Sequence, residues 1–526
     1  MSRSTRFRGA KASPVLRLTR LSGWGSGGRP PGESSRTPRR RSTGARLALA
    51  AAVTAAAALT GPVSYATPAA AEKPSPGAPG LGDPMFPLDG NGGYTVDRYV
   101  LDFDWQAPKT PFAASATIKA TATQSLSRFN LDFGGNTLRE VTVDGKAAAT
   151  SRDGDELTVT PKSPIAKGRA FTVKVTYTAD PTQTRHRDDA IEDYGWIPTP
   201  DGTVVYPQPN GARLIFPAND HPSQRAPITF RITTPKDRTA VANGKLTGKK
   251  QLSDDRVRWT YDSEQPLSTQ LVQLAVGKFT MVDSTGPGGL PLRDIVPDAL
   301  VEPTAKYRKL TPDHLRWLEQ KLGKYPFNRY GILVGDTDLG VALETQTLSL
   351  VPKADLLGTQ VDAERNLVHE LTHQWFGDSV ALAGWSDLWV SEGHARFYER
   401  MYSEEHGGDS FEAAMKAAYK AHDQWRRDFG APAEPTEPNL FKRMRYDGSA
   451  LVLYALREQV GDATFQKIER AWVSEYRGKT ASTQDYVDLA SKVAGEDLSG
   501  FLKPWLYGPK TPPMPGHPDW VVDPAT

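Results

Sequence analysis

Residues 366–393 read NLVHELTHQWFGDSVALAGWSDLWVSEG, and the run His369-Glu370-Leu371-Thr372-His373 inside them sets what the rest of the chain has to build. An α-helix turns about 100° per residue, so histidines four apart project from one face and reach a single metal ion together. A catalytic zinc takes three protein ligands and keeps a fourth position open, so one more ligand must arrive from elsewhere. The candidate is Glu392, with eighteen residues between it and His373, in Trp389-Val390-Ser391-Glu392-Gly393. There SEGHARFYERMYSEE opens a second helical stretch, and an antiparallel neighbour helix can aim a first-turn carboxylate at the histidine pair. Glu370 is next to a ligand but rotated off the ligand face, placed to take a proton from the attacking water.

The chain has 526 residues, enough for two domains plus appendages, and no cysteine. Disulfides, a thiol nucleophile and thiolate ligands are therefore excluded, and any zinc is held by histidine and carboxylate. The formal net charge of +3 originates in the first 71 residues, which hold twelve Lys/Arg and one acid. The remainder carries 52 basic against 60 acidic residues, a net of −8. With no basic run left, there is no electrostatic reason to expect nucleic acid as a partner.

Residues 1–71 read as an export segment: a basic region ending in Pro38-Arg39-Arg40-Arg41, fourteen uncharged residues from Leu47 to Thr60, and a small-residue cleavage site at Ala69-Ala70-Ala71. Fourteen mostly alanine residues fall short of the about 20 that span a bilayer, so secretion rather than a stable membrane anchor is expected. The pattern does not separate the Sec from the Tat route. Residues 72–92, rich in Pro and Gly, read as a linker. From 93 to 286 short alternating runs such as YVLDFDW, ATIKATATQ and FTVKVTYTA indicate an all-β domain. From 287 to 508 helical periodicity takes over, with YGILVG and ALETQTLSL as strands, giving a mainly helical α+β domain. Residues 509–526, with six prolines, read as a loose tail.

HExxH followed by a glutamate after eighteen residues resembles the aminopeptidase N family of gluzincin zinc metallopeptidases. The resemblance covers about residues 84–508 and implies an N-terminal β saddle, a thermolysin-like catalytic domain and one Zn²⁺ per chain. It also implies further site residues. Tyr446, in Arg445-Tyr446-Asp447-Gly448-Ser449, is similar to the family's oxyanion tyrosine, although Gly448 and Ser449 depart from the usual basic residue and glycine. Val341-Ala342-Leu343-Glu344-Thr345 resembles the family's amine-binding strand, with Glu344 as the anchor of the substrate α-amine; Val341 stands where glycine is usual and Thr345 where asparagine is. Gln208, in Gln208-Pro209-Asn210-Gly211-Ala212-Arg213 ahead of Phe216-Pro217 and Asp220-His221-Pro222, resembles the polar residue that meets the same amine. His394 occupies a usually apolar position.

The expectation is a secreted zinc aminopeptidase acting on peptides with a free N-terminus. Zinc is held by His369, His373 and Glu392, with Glu370 as base and then acid, and Tyr446 at the oxyanion. Two alternatives stand beside it. One is a thermolysin-type endopeptidase, which needs no amine anchor. The other is a non-catalytic secreted binding protein with a structural zinc, which has no use for Glu370. The preferred N-terminal residue and the oligomeric state are not encoded in any motif.

Overall fold

The computed structural model describes residues 73–185, 193–337, 339–436 and 439–523. The export segment expected over 1–71 lies outside them. The first half is β structure built on strict alternation. In Phe112–Ala122 the even positions Phe112, Ala114, Ala116, Ile118, Ala120 and Ala122 are buried, while Ser115, Thr117, Lys119 and Thr121 face outward, as a sheet covered on one side requires. This strand lies within an eight-stranded sheet. The order runs Lys245–Gln251, Arg256–Asp262, Ile228–Pro235, Tyr94–Asp104, Phe112–Ala122, Ala170–Ala179, Thr137–Val143, Lys146–Ala147. All neighbours are antiparallel except Ile228–Pro235 beside Tyr94–Asp104. A five-stranded sheet carrying Tyr194–Pro198 and Thr203–Tyr206 packs with it. Trp196 sits between them, edge-on to Phe103 at 6.1 Å and to Phe112 at 5.7 Å.

The second half is helical around a four-stranded sheet of Phe279–Thr285, Pro291–Pro297, Ile332–Gly335 and Ser349–Pro352. Two helices matter most: the histidine helix Gln360–Thr372 and the glutamate helix Leu388–Glu405. The Thr359 hydroxyl caps the first by accepting from the Asp362 N–H. Ala363, Leu367, Val368 and Leu371 supply its buried stripe. Gly393 lets the glutamate helix touch the helix Ser449–Val460, because a Cβ at 393 would stand 2.8 Å from the Ser449 Cβ. A β-rich half followed by a mainly helical half is thus the observed architecture, as the pattern of periodicities implies.

Four local expectations change. The stretch 72–92 is not a free linker, since Asp83, Met85, Asp89 and Asn91 are buried. Asn91 donates to Asp132 Oδ2 at 2.8 Å and Asp83 accepts from the Trp385 N–H at 2.9 Å; Pro/Gly composition marked irregular backbone, not solvation. The proline-rich C-terminal stretch packs too, with Trp520 stacked 5.9 Å from Tyr454. The glutamate helix begins at Leu388, so Glu392 lies in its second turn rather than its first. Finally, Glu344 is not in a strand. Leu343 and Leu350 form a single antiparallel bridge, and the chain reverses between them through Thr347, which has φ +68°.

Candidate metal centre and active site

All seven residues singled out in the sequence, Gln208, Glu344, His369, Glu370, His373, Glu392 and Tyr446, line one cavity of about 350 Å³. A larger groove of about 480 Å³ lies on the eight-stranded sheet among Asp102, Lys174 and Arg231. Among the described residues only His369, His373 and Glu392 group closely enough to hold a metal. Their inward atoms are 3.2 Å apart between the two Nε2 atoms, 3.3 Å from His369 Nε2 to Glu392 Oε2, and 3.4 Å from His373 Nε2 to the same oxygen. Ligand bonds of about 2.0–2.1 Å in a tetrahedron give edges of about 3.3 Å, so the donor set fits zinc. Glu392 Oε2 is buried with no hydrogen-bond partner, another mark of an atom reserved for a cation.

The outer ring nitrogens are already engaged. His369 Nδ1 meets Glu399 Oε2 at 3.1 Å, and His373 Nδ1 meets Ser391 Oγ at 2.9 Å, with Ser391 donating on to the Phe376 carbonyl. Holding Nδ1 in this way fixes each ring's orientation and leaves Nε2 as the metal-facing atom. Glu399 is itself clamped by Arg365 and Arg396, each at 2.8 Å. Burial opposes its ionisation, but Arg396 and the His369 hydrogen bond hold its carboxyl well below the usual range. Burial also works against Glu392, yet the imidazoles bring it down to about 2. Although burial alone would lower His373, the charges of Glu344 and Glu392 push it up to about 10. The field of the site therefore favours a cation between these groups. Burial, reinforced by Glu344 and Glu392, pushes the Glu370 carboxyl up to about 8, and its Oε2 has no protein partner.

Gln208 Nε2 donates to Glu344 Oε1 at 2.8 Å across 136 positions of sequence, so the turn glutamine and the bridge glutamate form one polar wall. Gln374 pins that wall to the end of the histidine helix, donating to the Glu344 carbonyl at 3.0 Å and accepting from the Thr347 N–H at 2.9 Å. Thr345, standing where asparagine is usual, is buried and donates its hydroxyl to the Leu348 carbonyl, closing the reversal. Tyr446 lies in a π-helical turn, Met444–Gly448, with its ring 6.1 Å from that of His369 and the Arg396 guanidinium 5.5 Å from its own centroid. Burial, with Glu392 adding, keeps its hydroxyl protonated. Gly448 packs against Met444, whose Sδ would be 2.6 Å from an added Cβ, so a side chain at 448 would require Met444 to move.

The sequence reading missed Glu399, Ser391 and Arg396. Glu399 is seven residues past Glu392, two helical turns on the same face, and that spacing was the available signal. His394 also acquires a physical account. It stacks on Phe376 at 4.0 Å and pairs with Glu469 at 3.0 Å, while Tyr486 donates to the same carboxylate at 2.9 Å. The group is buried behind the metal site and ties the glutamate helix to the two helices Asp462–Glu475 and Thr483–Ala494.

Both halves of the chain have counterparts among known proteins. Residues 95–271 match the peptidase M1 N-terminal domain and residues 309–505 the peptidase family M1 domain. The chain is 26% identical over 319 residues to a glutamyl aminopeptidase from Rattus norvegicus, covering 57% of this chain and 33% of that protein. It is 23% identical over 314 residues to a probable aminopeptidase 2 from Sulfurisphaera tokodaii, covering 56% and 40%. The chain thus spans about a third of the length of the first of these relatives. The crystal structure of an M1 zinc metallopeptidase from Deinococcus radiodurans superposes with a TM-score of 0.73 at 29% identity, covering 83% of this chain and 99% of that one.

Proposed function

The chain belongs to peptidase family M1, and from that premise we propose that it is a secreted zinc aminopeptidase that removes the first residue of peptides with a free N-terminus. The observation that carries the reading is the presence, in one cavity, of three donor atoms at tetrahedral spacing and of the Gln208–Glu344 wall. His369 Nε2, His373 Nε2 and Glu392 Oε2 would hold the metal. A zinc ion bound there supplies positive charge that polarises the scissile carbonyl and acidifies the attacking water.

The remaining chemistry belongs to the chain's own side chains. Glu370, which lines the cavity with its carboxyl raised by burial and its Oε2 without a hydrogen-bond partner, accepts a proton from the attacking water and returns it to the departing amine. Tyr446 donates its hydroxyl to the carbonyl oxygen as negative charge develops there. Glu344 receives the substrate ammonium, with Gln208 Oε1 as a second acceptor once its amide is engaged by Glu344. Fixing the amine there holds only the first peptide bond at the reacting groups. A mutant of the Deinococcus enzyme bound to a Tyr-Ser-Ala substrate is a solved relative at 28% identity, in keeping with short peptides as substrates.

Secretion rests on the basic stretch, the apolar run Leu47–Thr60 and the Ala69–Ala71 site. No helix among the described residues is long and apolar enough to cross a membrane.

The test is a pair of peptides of one sequence, one with a free and one with an acetylated amine, offered to zinc-loaded and chelator-treated protein. Zinc-dependent cleavage of the free peptide alone is expected. Equal cleavage of both forms would replace this reading with an endopeptidase.

A further inference from the structure

The cavity has a direction. Glu344 lies at the C-terminal end of the histidine helix, fixed there by Gln374. Asn366 lines the same cavity from the same helix, one turn ahead of Glu370. Position 366 is about 9 Å along the axis from Thr372, the last residue of the helix and two before Gln374, at 1.5 Å per residue. A peptide with its amine at Glu344 and its first peptide bond beside Glu370 therefore directs its second residue toward Asn366. The wall there is completed by Asp355, from the short helix Lys353–Leu357; it lines the cavity half-buried, and the Asn366 amide nearby works against the rise that burial gives its carboxyl.

Asp355 is the one carboxylate of this lining that the mechanism does not use. Glu392 faces the metal position, Glu399 holds His369, Glu370 faces the water and Glu344 the amine. Nor, among the described residues, does a cation pair with it. Burial pushes the Asp355 carboxyl up, and the charged neighbour acting on it is another acid, Asp362. Arg396 is taken by Glu399 at 2.8 Å, Arg365 likewise at 2.8 Å, and Lys353 pairs with Asp336. A half-buried carboxylate facing a substrate channel without a counter-ion gains most from a cationic donor on the ligand and repels an anionic one.

We infer that Asp355 is a specificity-determining residue that receives the side chain of the substrate's second residue, favouring lysine or arginine there over aspartate or glutamate. The inference rests on the aminopeptidase reading and adds the class of peptide that the site selects.

The test measures release of the first residue from the free tripeptides Leu-Lys-Ala, Leu-Ala-Ala and Leu-Glu-Ala by the zinc-loaded full chain. The ratio of kcat/KM for the lysine over the glutamate peptide is internal to each variant, so differences in folding or metal loading cancel. The wild-type ratio should be roughly tenfold or more, fall to near one in Asp355→Asn, and drop below one in Asp355→Lys. Calorimetric binding of the same peptides to Glu370→Gln should follow the wild-type order. A wild-type ratio near one, or one that Asp355→Asn leaves unchanged, overturns the inference while the aminopeptidase reading stands. Failure of the wild type to release leucine from all three peptides overturns that reading, and the inference with it.

Discussion

The two ends of the cavity are built in opposite ways. The metal end comes from His369 to Glu392, a continuous piece of chain whose histidine pair is aligned by helical periodicity alone. The amine end joins Gln208 to Glu344 across 136 positions, from a turn in the β-rich half and a reversal in the helical half. The turn carrying Gln208 is held by Arg213, which is buried among Asp89 at 2.6 Å, Asp220 at 3.2 Å and Asp132 at 3.4 Å. Local geometry can set the spacing of ligand atoms, here 3.2–3.4 Å. Fixing an amine at a set distance from them takes the packing of both halves.

The sharpest way to test that division is to separate chemistry from metal retention within the local end. Glu370→Gln should keep zinc and lose about 10²–10⁴ of turnover, because only the proton shuttle is removed. Glu392→Gln, by contrast, should lose zinc, since it removes a ligand. Metal analysis and kcat on both variants decide this, and equal zinc retention with an active Glu392→Gln would take that residue out of the centre.

Next in size is an attack on the long-range end. Arg213→Met leaves three buried carboxylates without their shared cation, which should cost about 3–5 kcal/mol of stability. A lowered urea midpoint at constant slope is the expected signature. If the midpoint does not move, the amine end does not depend on this network.

The smallest effect should come from the anchor itself. A partly buried charge-assisted hydrogen bond is worth about 1.5–3 kcal/mol, so Glu344→Ala should lower kcat/KM on free-amine peptides roughly ten- to a hundredfold without changing zinc content. On an acetylated peptide the variant should be no worse than wild type. An equal loss on both substrates would mean that Glu344 supports the metal end instead.

The legible parts of the site were those whose partners lie within a few helical turns. His369, Glu370 and His373 follow from spacing, and Glu399 was readable by the same rule because it shares a face with Glu392. Asp355 carries no such signal: an acid in the first turn of a five-residue helix is ordinary until Asn366 and the cavity are seen beside it. Composition misled at 72–92, where Pro and Gly marked irregular backbone but could not indicate that Asp83 and Asn91 reach into the two halves.

By itself the sequence determined a β-rich half before a helical one and a metal centre of two histidines and a glutamate. Period-two and period-3.6 burial, and the reach of side chains one helical turn apart, are properties of short segments. Tertiary structure alone decided that Glu344 sits on a reversal rather than a strand, that Gln208 meets it, that His394 is paired with Glu469, and that Asp355 lines the same cavity. Each of these depends on which distant segment excludes water from a polar group and supplies its partner, and no local pattern of residues encodes that.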